Sequence, residues 1–382
     1  MSMQLQLLRA ERGLGACDFA RGDLVERRLR SFRREVQRAV RNLARRHSRL
    51  ADLAGSFPAL LVALTMPRAG FKAAPVIDLV IKGVPLAELA IAAEVPLWLR
   101  RLEPPSFSGA LPKLPDSHDF HRRIVNHLPR TKKLAPAWLK AVALTAAWGH
   151  EPLAIWTARN MLQQPEHQAL WRLRLICLWA WFSARPETLA HRFIEKTWTP
   201  SMKFDTALNA AGTWLEAADL YANVGNETIA DLWMEPSTFD GYEFVPLRSF
   251  EDLTEEARTM RNCVRTYGHN VKHNLSRLWS VRKDGKRIAT LEIGNHGRQP
   301  FPYVGDLRSA GNEDAPAEAW WAAERWLLTH DLPRLNTNRF GYDAVPIDRT
   351  AWMALWKPYW LAKRRFPEWL PLTPSRHVLE RL

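Results

Sequence analysis

The sequence predicts a mainly helical protein with a small α+β module near its C-terminal end, behind a helical middle packed as a bundle or a solenoid. Three observations predict this. From His118 to about Leu232 the apolar residues recur with helical spacing, and strand-like alternation is nearly absent. After Arg248 the pattern changes to a helix, short alternating runs about a tight turn, and a second helix. The chain has 382 residues, 47% of them hydrophobic, which suffices for more than one core and excludes wholesale disorder.

Taking the elements in order, Asp23 is placed to cap a helix running to about Leu50. Val25, Leu29, Phe32, Val36, Ala39, Leu43 and Leu50 lie along it at alternating steps of four and three (Arg46 interrupts the row), forming one apolar stripe. The other faces carry Arg27, Arg28, Arg30, Arg33, Arg34, Arg38, Arg41, Arg45, Arg46 and Arg49, against only Glu26 and Glu35 within the helix. Internal ion pairing cannot absorb ten arginines. Either the helix faces a nucleic acid, with Arg27, Arg30, Arg34, Arg38, Arg41 and Arg45 neutralising phosphates, or it is a solvated helix docked through its stripe. A membrane-surface helix fits less well, because the stripe holds no Trp and one aromatic.

Residues 52–102 read as short apolar helices interrupted by Pro58, Pro67, Pro75, Pro85 and Pro96. The Pro- and Ser-rich stretch 103–117 reads as a linker, and 118–234 as a helical domain. Trp148, Trp181 and Trp214 fall 33 residues apart, a period that stacked helical hairpins would produce. A plain bundle is the alternative, and a helical scaffold of this kind suits a protein partner. A second linker is expected up to Arg248. Ser249 then caps a helix through about Val271, with acidic residues at its start and arginines after them, matching the helix dipole. Strands are expected at 277–282 and 286–293 around Lys283-Asp284-Gly285, then at 303–307, followed by a helix over 316–329. The module spans 247–330 in the order α-β-β-β-α.

Net charge is +14, and it is concentrated at the ends. Residues 1–50 hold 13 Arg against 5 carboxylates and residues 351–382 hold 6 Lys/Arg against 2, so the 300 residues between them are nearly neutral. A polyanionic partner therefore belongs to the ends. In the tail, 331–382, Trp352, Trp356 and Trp360 recur at steps of four before Lys363, Arg364 and Arg365. The Trp row suits docking of a terminal helix, while the basic cluster suits single-stranded nucleic acid. The start has no secretory-signal pattern, no stretch is apolar enough to span a membrane, and Cys17, Cys177 and Cys263 lack paired spacing. The expectation is a cytoplasmic protein with no disulfide framework, no metal and no cofactor.

One constellation resembles a known family. Met260-Arg261-Asn262-Cys263-Val264, then Tyr267, the run Ala289-Thr290-Leu291-Glu292-Ile293, and Gly311-Asn312 before a Trp-bearing helix resemble the PcfJ-like proteins of conjugative plasmids, phages and other mobile elements. The resemblance covers about residues 247–328. It departs at Asn274, where the family tends to carry Gly, and at Asp306, where it tends to carry Gln. It implies a mobile-element accessory protein and assigns no biochemical activity.

Chemistry in this module is read from the residues. Cys263 lies between Arg261 and Arg265, with His269 six residues on, so Cys263, His269 and Glu292 are candidates for nucleophile, base and orienter. On one continuous helix Cys263 and His269 would face apart, unless the helix ends near Gly268; a packing role for the Cys is the alternative. Asn262, Tyr267, Asp306 and Asn312, with Glu292, form a candidate polar pocket. Glu292 alternates with Leu291 and Ile293, so it faces either solvent or a cleft. His269 and His273 have a metal-ligand spacing but no evident third ligand, and phosphate-loop and dinucleotide motifs are absent.

Overall fold

A computed structural model of the chain describes residues 24–131, 133–163, 170–295, 300–335, 349–365 and residue 370. Helices dominate, and one small antiparallel sheet follows them. The chain divides into two compact units, one of residues 1–180 with 199–204 and the other of residues 181–198 with 205–382.

In the first unit, residues 24–30 form α1, Arg34–Ala44 form α2 and Ser48–Ser56 form α3. The single helix expected over 23–50 is therefore broken twice, for local reasons. Ser31 Oγ donates to the Arg28 carbonyl at 2.6 Å and Arg33 is extended, which ends α1 and starts α2. His47 is also extended, and its Nδ1 accepts from the Arg49 amide at 3.2 Å, so α3 begins afresh. The stripe still packs: Leu29, Phe32, Val36, Leu43 and Leu50 are buried, with Val40 rather than Ala39 completing the row.

Next come α4 (Pro58–Thr65), α5 (Ala73–Lys82) and α6 (Leu86–Ala92). Pro58 opens α4, Pro75 lies in the first turn of α5 and Pro85 precedes α6, positions where a missing amide hydrogen costs no helical bond. The stretch expected as a linker, 103–117, is packed: Phe107, Leu111 and Leu114 are buried. Ser117 Oγ then accepts from the Phe120 amide and caps α7 (His118–Ile124). The helices α8 (Ala135–Trp148), α9 (Glu151–Gln163), α10 (Leu170–Ser183) and α11 (Phe204–Val224) follow. Trp148 ends α8, Trp181 lies two residues from the end of α10, and Trp214 sits in the middle of α11. The 33-residue spacing thus marks no equivalent position in successive helices, and buried packing accounts for Trp181 and Trp214.

The second unit contains the sheet. The segment expected as a second linker is instead a hairpin, β1 (Ser237–Phe239) and β2 (Tyr242–Pro246), turned at Asp240 and Gly241, both with positive φ. After it come α12 (Phe250–Met260), α13 (Gly268–Lys272), β3 (Ser276–Lys283), β4 (Lys286–Gly294), β5 (Tyr303–Arg308), α14 (Ala317–Leu328) and α15 (Arg349–Lys363). All five strands are antiparallel neighbours in the order β1-β2-β3-β4-β5. Alternation divides the sheet into two faces. Trp279, Val281, Leu291, Ile293 and Leu307 pack with Trp326 of α14, whose ring stacks on Phe244 with centroids 4.2 Å apart. On the opposite face Leu278 packs with Leu253, Ala257, Val264 and Val271.

The helix expected through Val271 stops eleven residues earlier, at Met260. Ser249 and Asp252 form a capping box at the start of α12, and Arg261 ends it in the left-handed conformation (φ 49°). A 3₁₀ turn over Val264–Tyr267 leads into α13. Gly268 therefore begins a helix and terminates none; a Cβ there would stand 3.1 Å from Leu220 Cα, so glycine permits the close approach of α11. Asn274 has φ 56°, the backbone region that glycine enters freely and asparagine enters more readily than other residues. In α15, Leu355, Trp356 and Tyr359 are buried, with Trp356 against Phe182 and Trp214.

Candidate functional sites: an arginine face and a polar cleft

On α2, Arg34, Arg38, Arg41 and Arg45 recur at steps of four, three and four, so at about 100° per residue they fall within about 60° of one another. Val36, Val40 and Leu43, buried, occupy the opposite side. The apolar residues thus fix the helix against the body and turn the guanidinium groups outward. Nine of the ten arginines from Arg27 to Arg49 are exposed, and Arg41 is half-buried. Their bonding differs. Glu26 Oε1 is 3.2 Å from Arg30 Nε and 3.0 Å from Arg41 Nη2. Arg33 donates to the Pro105 carbonyl, Arg49 to the Ile81 carbonyl, and Arg28 lies over Gly55. The side chains of Arg34, Arg38, Arg45 and Arg46 have no hydrogen-bond or ion-pair partner among the described residues.

The second site is a small open cleft of about 30 Å³ in the sheet unit. Asn262, Cys263, Val264, Tyr267, Leu278, Thr290, Glu292, Asp306, Arg308 and Asn312 line it. Register explains the convergence: Leu278, Glu292 and Asp306 are cross-strand partners in one row over β3, β4 and β5. Glu292 is only 8% exposed, which settles its orientation in favour of a cleft. Its carboxylate accepts from Tyr267 Oη at 3.2 Å and from Ser276 Oγ at 2.5 Å. Asn312 Oδ1 accepts from the Cys263 amide at 3.2 Å, fixing the chain just after Arg261.

A relay of hydrogen bonds supports the cleft from behind. Asn262 Nδ2 donates to Thr290 Oγ1, and Thr290 donates to Glu256, both at 2.8 Å. Arg287 Nε donates to the other Glu256 oxygen at 2.8 Å. Glu256 is wholly buried, and these donors satisfy its carboxylate oxygens. At the rim, Asp306 accepts from the Leu307 amide and Arg308 Nε, and Arg308 also reaches Asp314.

The electrostatics disfavour a nucleophilic cysteine. Cys263 is exposed as a residue, yet desolvation of the thiol, with Asp306, Glu216 and Glu292 nearby, holds it above its usual pKa. An activated cysteine requires the opposite shift. Burial, and then the Glu292 charge, push the Tyr267 phenol well above its ordinary range. His269 does not line the cleft; it is exposed on α13, its ring 4.4 Å from that of His273. The candidate set Cys263, His269 and Glu292 is therefore not assembled, because α13 restarts at Gly268 and carries His269 beyond Tyr267. No group of three or more His, Cys, Asp or Glu among the described residues is placed to hold a metal ion.

Glu256, Ser276 and Arg308 escaped the sequence reading as site residues, and Thr290 entered it only as part of the run that carries the family resemblance. For Glu256 a signal was present: Leu253, Ala257 and Met260 share its helix face, so its carboxylate occupies a core position. No protein-family model matches the chain, and no curated protein or solved structure matches it either. Among the described residues no helix is long and apolar enough to cross a membrane.

Proposed function

We propose that this chain binds nucleic acid without sequence preference through the arginine face of α1 and α2, as an accessory protein of the PcfJ-like, mobile-element kind. One observation carries the reading. Arg34, Arg38, Arg41 and Arg45 form an outward row on a helix whose apolar side is fully committed to the core. Guanidinium groups so placed neutralise phosphates and release counterions, which gives affinity with little base discrimination. Burial of Leu29, Phe32, Val36 and Val40 leaves no apolar stripe to insert into a bilayer, which favours nucleic acid over a lipid surface.

The test is binding of a random-sequence DNA across a salt series. Deleting residues 1–50 would strip Val36, Val40 and Leu50 from the core, so charge removal at Arg34, Arg38 and Arg45 is the cleaner variant. Equal loss on several unrelated sequences supports the reading. Unchanged affinity, or capture by anionic vesicles in preference to DNA, contradicts it.

The convergence of Asn262, Cys263, Tyr267, Glu292, Asp306 and Asn312 on one cleft favours a second reading, an activity of the sheet unit on nucleic acid or a small ligand. Turnover of DNA or RNA by the full chain, abolished in Glu292→Gln, would support it. Absence of turnover would leave the cleft a structural feature of the module.

A further inference from the structure

The arginine face also distinguishes between forms of nucleic acid. We infer that its ligand is a duplex, gripped by its phosphates alone, rather than a single strand. This rests on the nucleic-acid reading above and adds a choice of partner to it.

Three features bear on the choice. The first is the spacing of charge. Arg34 to Arg45 covers eleven steps of helix, about 16 Å at 1.5 Å per residue. A duplex presents one phosphate charge per about 1.7 Å of axis, because each of its strands contributes one per about 3.4 Å, so its charge along the axis is twice that of either strand alone. The row gains most where the charge opposite it is densest.

The second is rigidity. Leu29, Phe32, Val36, Val40, Leu43 and Leu50 are each at most 7% exposed, so α1 and α2 are held through their apolar sides. Glu26 further ties Arg30 to Arg41 across the break between the two helices. Arg33 and Arg49 are anchored to backbone carbonyls of Pro105 and Ile81. An array fixed in this way suits a partner that is itself stiff, whereas a flexible strand must be ordered as it binds.

The third is what the face lacks. Surfaces for single strands interleave basic residues with exposed aromatic rings on which bases stack. Within residues 24–56 the one aromatic among Phe, Tyr and Trp is Phe32, and it is 3% exposed. His47 is half-buried, with its Nδ1 accepting from the Arg49 amide. In the other unit, none of the described aromatic side chains of α15 is fully exposed. Trp356 is buried, and Trp360 is half-buried with the Arg364 guanidinium 6.0 Å from its ring. The arginine face is thus equipped for phosphates and not for bases.

The experiment uses the full chain and two fluorescent probes, a 30-base-pair random-sequence DNA duplex and one of its single strands, titrated from 50 to 200 mM KCl. The expected result is duplex binding at least about tenfold tighter than single-strand binding at the lowest salt. Its log–log salt slope should be near −3.6, from four phosphates at about 0.9 each. Replacing Arg34, Arg38, Arg41 and Arg45 by Ala should flatten that slope by about that amount. Because Arg41 is paired with Glu26, Arg34→Glu with Arg38→Glu serves as a second variant that leaves this ion pair intact, with thermal unfolding to check the fold. Equal or tighter binding of the single strand overturns the duplex inference while leaving the nucleic-acid reading standing. Failure to bind either probe overturns both.

Discussion

The Tyr267 hydroxyl donates to Glu292 Oε2 at 3.2 Å, joining the 3₁₀ turn after α12 to the strand at the centre of the cleft. Burial and the carboxylate both oppose phenolate formation, so the tyrosine stays protonated beyond the usual range. Absorbance titration should show a late-ionising phenol that disappears in Tyr267→Phe and ionises earlier in Glu292→Gln. The linked stability has a definite sign. The folded-state pKa is raised, so the contribution is complete below the unfolded value near 10 and is lost as pH rises above it. Wild type should lose stability more steeply than Tyr267→Phe above about pH 10.

Cys263 should react slowly despite its exposure. Its raised pKa lowers the thiolate fraction at pH 8, and the thiolate is the reacting species. Iodoacetamide should alkylate the folded protein at Cys263 more slowly than the urea-unfolded chain. Asp306→Asn, which removes one of the opposing charges, should speed the reaction. Alkylation faster in the folded state than in the unfolded chain would contradict the described electrostatics.

Glu256 supports the cleft without touching a ligand. Glu256→Ala leaves the Thr290 hydroxyl and Arg287 without their acceptor at a fully buried position, at a cost of about 3 kcal/mol. Arg287 is a quarter exposed and recovers some hydration, so the loss should fall below that of a fully enclosed pair. Urea unfolding monitored by tryptophan fluorescence measures it, and Glu256→Gln should lose less.

Gly268→Ala sets helix propensity against space. Alanine favours α13 by up to about 1 kcal/mol, but its Cβ would stand 3.1 Å from Leu220 Cα and 3.2 Å from Asn223 Cβ. The nearest neighbour is backbone and cannot rotate away, so a net loss of about 1–2 kcal/mol is expected from the same urea titration.

The fold class was legible because it depends on periodicity, and periodicity is local. The apolar residues of α1 to α3, the Ser249 cap and the hairpin at Asp284-Gly285 could each be read from a few neighbouring side chains. Breaks that depend on backbone conformation were not legible. Arg33 and His47 are extended and Arg261 is left-handed, although nothing in those residue types requires it. The β1–β2 hairpin was hidden because Pro246 and a three-residue strand resemble a loop until β2 pairs with β1 on one side and β3 on the other. In the cleft, alternation set Glu292 opposite Leu291 and Ile293 but left solvent or cleft open, and its pairing with Asp306 needed the β4–β5 register. His269 entered the candidate set on the condition that the helix ends near Gly268; the helix ends at Arg261 instead, and a new one starting at Gly268 carries His269 out of the cleft.

The measurement that bears most directly on the central claim is the salt dependence of DNA-duplex binding by wild type and by the Arg34, Arg38, Arg41 and Arg45 to Ala variant. Wild type should lose affinity on the order of 10²-fold between 50 and 200 mM salt, and the variant should bind weakly with a nearly flat slope. Equal affinity and equal slope for the two proteins would contradict the assignment of nucleic-acid binding to this face of α2.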